Sequence, residues 1–273
     1  MGAGIAEVCA RTGHEVGLFD LDPAALERGQ ERLARSLARG EARGRGPAAP
    51  ILARVHSLAE LGRVADAELV VEAVSEDLAL KKELFARLSG LTTSAILASN
   101  TSALSVTELA SASQGPERVI GLHFFNPAPV MELVEIVLAE QTSPATREAA
   151  SQFVTGLTKT PIVVRDVAGF ATSRLGILLG MEAIRMVETQ VASVEDIDRA
   201  MELGYRHPMG PLKLTDLVGL DVRLAIAEHL TRELGPQFAP PPLLRRLVRA
   251  GKLGKKSGEG FYLWDGERAV MKG

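Results

Sequence analysis

Cysteine is nearly missing: Cys9 is the only one in 273 residues, which excludes an internal disulfide and a cysteine-held metal centre. Aromatic residues are scarce, at 4%, whereas 46% of the chain is apolar, so any core is mainly aliphatic. An excess of one charge is absent too. The 31 Lys and Arg residues oppose 34 Asp and Glu, a net charge of −3, with the signs interspersed. Neither a nucleic-acid footprint nor an acidic tail is indicated. No apolar run approaches the ~18 residues of a membrane span, and the opening lacks the basic-then-apolar layout of a signal peptide. No internal repeat of roughly 20–50 residues is visible. These absences lead us to expect a soluble, cytoplasmic protein, one large domain or two modest ones.

What is present is an alternation of helix-like and strand-like segments. Residues 3–12 have helical spacing, with Gly13 where a helix C-terminal glycine belongs. The strand EVGLFD follows, then a helix in DPAALERGQERLARSLAR, with Pro23 near its first turn. From Gly40 to Pro50, glycine and proline punctuation reads as an exposed basic loop or frayed helix end. Strands are expected at ELVVEAV, AILASN, RVIGLHFFNP, VMELVEIVL and PIVVRD, with helices in LALKKELFARLSGL and PATREAASQFVTGLT. Such alternation argues for a parallel sheet covered on both faces. After Asp166 the texture changes to a long apolar-rich helix followed by helices and loops. We therefore expect an α/β domain over 1–166 and an all-α domain over 167–273.

The opening MGAGIAEVC raises a question. A dinucleotide-binding fingerprint is a strand, then G-x-G-x-x-G opening a helix, then an acid about 20 residues further on. Gly2 and Gly4 do not satisfy it literally, because no strand precedes them and the last position is Glu7. With Gly2 as the third glycine instead, Asp20 at the end of the next strand falls at a suitable distance. The segments MGAGIAEVCARTGHEV, VVEAVSEDLALKKELF, ASNTSALSV, GLHFFNPAPVMELVEIV, GFATSRL, EDIDRAMELGYRHPMGPLKLTDLVGLD and GKKSGEGFY occur here in one order. That order and spacing resembles the L-3-hydroxyacyl-CoA dehydrogenases over essentially the whole chain.

The resemblance implies a Rossmann-type doubly wound sheet with a C-terminal all-α domain, NAD as cofactor and an acyl-CoA as substrate. Against the family pattern, the first strand and first two fingerprint glycines are missing, and Met1 coincides with an internal methionine of the motif. A start codon assigned at that methionine is the plain expectation. A doubly wound sheet holds that strand at its centre, so its three or four aliphatic side chains would be worth ~5–10 kcal/mol. Domains are stable by only ~5–15 kcal/mol, so the chain as written is expected to fold poorly or bind NAD poorly.

His123 ends an apolar strand, where a lone histidine is ordinarily a satisfied core residue. Glu135 changes that, because it sits across the NPAP turn on the neighbouring strand-like run. A carboxylate facing one ring nitrogen fixes the tautomer and stabilises the imidazolium. By resemblance, His123 is the base that removes the C3-hydroxyl proton and Glu135 its orienting partner, with Glu132 a surface acid. Ser102 of SNTS suits a helix cap for ALSVTEL; by resemblance it bonds the substrate's C3 oxygen and lies near the cofactor. The family pattern places Asn126 beside cofactor and substrate, and Gly2 and Asp20 on the NAD side. Glu76 and Lys81, which alone would pass for a solvated helix start, match positions near the nicotinamide half. Lys256 matches a late cofactor contact, or else is a surface lysine.

For the CoA arm, Ser36 and Arg43 align with phosphate-holding positions, and the cluster Arg35, Arg39, Arg43 and Arg45 could neutralise a phosphate. A solvated helix face is the alternative. One residue departs from the pattern: Ser173 of GFATSR stands where the family has an active-site asparagine. The expected function is therefore NAD-dependent oxidation of short-chain (S)-3-hydroxyacyl-CoA, such as 3-hydroxybutyryl-CoA, in β-oxidation or butanoate metabolism, by a homodimer. Two rivals are a related sugar-acid or hydroxy-acid dehydrogenase and a catalytically impaired CoA-binding homologue.

Overall fold

The computed structural model describes residues 1–270. The chain divides into two compact units, Met1–Val167 and a second starting at Ala168. The first runs α1 (Gly2–Arg11), β1 (Val16–Leu18), α2 (Pro23–Glu41), α3 (Ala48–Leu52), β2 (Val55–Ser57), β3 (Leu69–Glu72), α4 (Leu78–Leu91), β4 (Ile96–Ser99), α5 (Val106–Ser111), β5 (Val119–Phe124), β6 (Leu133–Leu138), α6 (Pro144–Gly156) and β7 (Thr160–Arg165). Local chemistry sets several boundaries. Asp22 caps α2, whose first residue is Pro23, Asp77 caps α4, and Gly13 leaves α1 at φ +96°. The stretch expected as a loop holds more order: α2 continues to Glu41 and α3 occupies 48–52. The short strand β2 was not foreseen, since its three residues carry too little periodicity to register.

The sheet differs from the expected parallel one in two ways. Strands β3–β4–β5–β6–β7 form one sheet in that order, in which β5 and β6 are antiparallel and every other pair is parallel. The reason is loop length: a parallel return needs a crossover of about a dozen residues or more, usually helical, whereas a short turn forces an antiparallel pair. The NPAP turn is short, but α6 gives β7 its crossover. Secondly, β1 and β2 make a separate parallel pair. Among the described residues, β1 and β3 each have one strand neighbour, yet Val16 of β1 and Leu69 and Val71 of β3 pack on one core. That core unites Ile5 and Val8 of α1 with Ile120, Leu122, Val134, Ile136 and Val154. A doubly wound sheet has its first strand between two such edges.

The second unit contains α7 (Thr172–Glu188), α8 (Val194–Arg199), α9 (Pro211–Val218), α10 (Leu220–Leu234) and α11 (Pro242–Arg249) around Ile177, Met181, Ile184, Leu212, Leu230 and Phe238. It is helical but not entirely so. An antiparallel hairpin, β8 (Leu263–Asp265) and β9 (Arg268–Val270), follows the helices. Buried Asp216 anchors it, accepting from the amides of Phe261 and Tyr262 and from Trp264 Nε1 at 2.8–2.9 Å.

Candidate active site

Strands β3, β4 and β5 run parallel, so Glu72, Ser99 and Phe124 end at one edge of the sheet. Open α/β sheets place ligands beyond such ends. His123, next to last in β5, is 7% exposed. The antiparallel register makes it the direct cross-strand partner of Glu135. Its Nδ1 lies 2.7 Å from Glu135 Oε2, and Glu135 is fully buried. Leu122, Phe124, Val134 and Ile136 on the same strands fill the core, so period-two alternation aims His123 and Glu135 at the other face. A buried carboxylate needs a donor. With Glu135 ionised, the ring N–H on Nδ1 is that donor. The Phe125 ring packs 4.5 Å from the imidazole. Glu132 lies exposed.

The turn between the two strands is held from outside. Lys159 Nζ donates to the carbonyls of Ala128 at 2.9 Å and Met131 at 2.7 Å. Asn126, exposed, precedes it, and Asn100 Oδ1 accepts from the Phe124 amide at 2.9 Å, tying the end of β4 to β5.

Ser102 lies in the segment after β4, half-buried. It does not cap α5: Ser105 does, accepting from the Glu108 amide, while Thr101 Oγ1 accepts from the Leu104 amide. Ser102 is instead bound to Glu76. One carboxylate oxygen, Oε1, accepts from the Thr101 hydroxyl at 2.7 Å, the Ser102 amide at 2.8 Å, the Ser102 hydroxyl at 3.1 Å and the Ala103 amide at 3.2 Å. Burial opposes ionisation of Glu76, but the Thr101 hydroxyl, the Ser102 amide, the Lys81 ammonium and the Ser102 hydroxyl together hold its carboxyl below the usual range. Lys81 is no solvated helix residue. It is 1% exposed, with Nζ 2.7 Å from Glu72 and 3.4 Å from Glu76.

The residues present fit a dinucleotide in part. The first turn of α1 has no side-chain cap; the Gly4 amide donates to the Met1 carbonyl at 2.8 Å, and the amides of Gly2 and Ala3 at the helix start suit an anion. Asp20 stands exposed just beyond β1, within the same unit as Glu76 and Asn126. Gly2, the first residue of α1, has open space apart from Ala73.

The CoA candidates meet in a cavity of about 220 Å³ lined by Ser36, Arg39, Arg43 and Arg45 together with Arg11 and Glu7. Ser36 and Arg39 lie at helical spacing on one face of α2, and Arg43 follows in the turn just beyond its end. Arg35 is not there; it points to Glu31 on the solvated side of the helix. Arg11 is the addition. It pairs with buried Glu7 at 2.8 Å and donates to the Arg45 carbonyl at 3.2 Å.

In the second unit, Ser173 occupies the first turn of α7, half-buried. Lys256 is exposed and pairs with Asp221 at 2.5 Å.

The comparisons with known proteins decide the family. The 3-hydroxyacyl-CoA dehydrogenase NAD binding domain matches residues 1–167, and the 3-hydroxyacyl-CoA dehydrogenase C-terminal domain matches 169–264. The chain belongs to the 3-hydroxyacyl-CoA dehydrogenase family. It is 44% identical to a 3-hydroxybutyryl-CoA dehydrogenase of Mycobacterium tuberculosis, over 97% of this chain and 95% of that protein. It is 42% identical to the mitochondrial hydroxyacyl-coenzyme A dehydrogenase of Sus scrofa, over 96% and 87% of the two chains. The crystal structure of (S)-3-hydroxybutyryl-CoA dehydrogenase from Ralstonia eutropha superposes with a TM-score of 0.93 at 38% identity, covering 97% and 96%. In this member of the 3-hydroxyacyl-CoA dehydrogenase family, sequence reasoning passed over Glu72, Asn100, Thr101, Lys159 and Arg11. Each acts through a long-range contact, and only the acid ending ELVVE, an unusual residue for a buried strand, carried a local signal.

Proposed function

We propose that this protein oxidises short-chain (S)-3-hydroxyacyl-CoA thioesters, 3-hydroxybutyryl-CoA foremost, to the 3-oxo thioesters. The single observation that carries the proposal is the His123–Glu135 pair, held in register across two strands with a 2.7 Å contact. His123 takes the proton of the C3 hydroxyl, and Glu135 stabilises the imidazolium that results. Ser102 bonds the C3 oxygen, and Ser173 contributes a hydroxyl where the family pattern has an amide. NAD, when bound, supplies the hydride acceptor. Gly2, Asp20, Glu76, Lys81, Ser102, Asn126 and Lys256 are its contacts, with Asp20 disfavouring a 2′-phosphate. Ser36, Arg39 and Arg43 hold the phosphates of the CoA arm.

We also propose a homodimer formed through the second unit. Leu175 and Val222 are exposed there, at 68% and 41%, and Nε of buried Arg223 has no hydrogen-bond partner among the described residues. No described helix is long and apolar enough to cross a membrane; we place the protein in the cytoplasm, where a lone thiol stays reduced.

The test is NADH oxidation with acetoacetyl-CoA. Turnover of ~1–1,000 per second is expected of the chain extended at its start by a strand and a glycine turn, abolished in His123→Ala. Activity confined to CoA-free hydroxy acids would sink the proposal in favour of a related dehydrogenase.

A further inference from the structure

One guanidinium of the arginine cavity differs from the rest. Among the described residues Arg39, Arg43 and Arg45 form no ion pair, whereas every nitrogen of Arg11 meets an oxygen of the protein. Its Nε donates to Glu7 Oε1 at 2.9 Å, and Nη2 lies 2.8 Å from the same oxygen. Its Nη1 donates to the Arg45 carbonyl at 3.2 Å. Glu7 is 2% exposed, and a buried carboxylate is costly to leave without donors. Glu followed by Arg four residues on is also the favourable order along a helix. Arg11 is therefore fixed at its base by α1.

At its far end Arg11 holds the turn that follows α2. That turn closes as a glycine-terminated helix does. The Arg45 amide donates to the Gly40 carbonyl at 3.0 Å and the Gly44 amide to the Glu41 carbonyl at 2.9 Å, with Gly44 at φ +74°. Arg43 and Arg45 belong to this turn and line the cavity. Gly40 makes room for the tie, because a Cβ there would stand 2.8 Å from Arg11 Nη2. The guanidinium thus spans from a buried acid on α1, past a residue without a side chain, to the backbone of the turn.

We propose that Arg11 is a positioning residue for the CoA phosphates: anchored by Glu7, it fixes the turn that presents Arg43 and Arg45. Without that tie the two side chains would have to be ordered on binding, at a cost in affinity. Arg11 on this account touches no phosphate itself. The proposal rests on the arginine cavity receiving the CoA arm.

The experiment compares acetoacetyl-CoA with acetoacetyl-pantetheine, which lacks the nucleotide phosphates, on the full chain extended at its start as in the turnover assay. One variant pairs Glu7→Gln with Arg11→Met, which removes both charges and leaves no buried acid unpaired. A second, Arg43→Ala with Arg45→Ala, removes what the turn presents, and a third combines all four; circular dichroism and thermal melts establish folding. The first pair is expected to lower kcat/KM for acetoacetyl-CoA by ~5–20-fold through KM, with kcat and the pantetheine thioester changed less than about twofold. In the second background the same pair should cost less than about twofold, the non-additivity of residues acting through one another.

An equal loss with both thioesters overturns the proposal and leaves a role in the fold alone. An equal loss in both backgrounds overturns it too, and makes Arg11 a direct phosphate contact. Unchanged kcat/KM in the folded pair has the same consequence for the positioning role. Should the pair not fold, Arg11→Lys keeps the charge beside Glu7 but lacks the fork that reaches the Arg45 carbonyl; it is expected to show the same CoA-only loss, and wild-type behaviour overturns the proposal. If Arg43→Ala with Arg45→Ala leaves KM for acetoacetyl-CoA intact, the assignment of the CoA arm falls, and the role of Arg11 falls with it.

Discussion

His123 and Glu135 are direct partners in an antiparallel register, and the contact between Nδ1 and Oε2 is 2.7 Å. Glu132, three positions earlier in the chain, lies exposed. The two acids should therefore respond differently to loss of charge. Glu135→Gln is expected to lower kcat by ~100–1,000-fold, and His123→Ala by more, in the range of general acid–base catalysis. Glu132→Gln should stay within about threefold in steady-state kinetics with acetoacetyl-CoA and NADH. Equal effects at both positions would refute the dyad.

Ser173 offers one hydroxyl where an amide is expected from the family pattern. If water extends its reach, Ser173→Asn should change turnover by less than about tenfold, a difference near 1.4 kcal/mol in barrier. A rise of several hundredfold would identify the natural chain as an impaired variant.

The arginine cavity predicts a signature of binding without chemistry. Replacing Arg39 and Arg43 together by alanine should raise KM for the CoA thioester by ~10–50-fold with kcat nearly unchanged. The effect should vanish with a pantetheine thioester, which lacks the nucleotide phosphates. Arg35→Ala is the control and should do nothing, because that side chain faces Glu31.

Burial pushes the Cys9 thiol up to about 11, and the side chain is 8% exposed. Thiolate is the reactive form, so a disulfide reagent at pH ~8 should leave the native protein unlabelled and modify Cys9 only on unfolding. Fast native labelling would mean that α1 is not docked on the core.

The open sides of β1 and β3 provide a test of the sheet. Among the described residues each has one strand neighbour, and side chains of both strands pack on the core beneath α1. An extension of about ten residues ahead of Met1, an aliphatic strand followed by a glycine turn, should raise the melting temperature and tighten NADH binding. If neither changes, the gap is not a strand site.

Sequence alone determined the secondary elements with strong periodicity or clear punctuation. The helices over α2, α4 and α6 carry a capping Asp or Ser and an apolar stripe, and β5 reads as a wholly buried strand. The dyad was legible because the histidine and the acid flank a short proline-rich turn, which leaves the two strands little choice but to pair. What stayed hidden was everything set by distant segments. Three-residue β2 has no period of its own, and the position of Lys81 between Glu72 and Glu76 depends on how α4 lies against β3. Arg11 reaches the arginine cavity only because α1 packs beside α2, and Arg35 misses it because a helix turns that side chain to the opposite face. Periodicity and turn chemistry are local and survive in a linear string. Burial and the partner of a charge are decided by packing, and only the tertiary structure shows them.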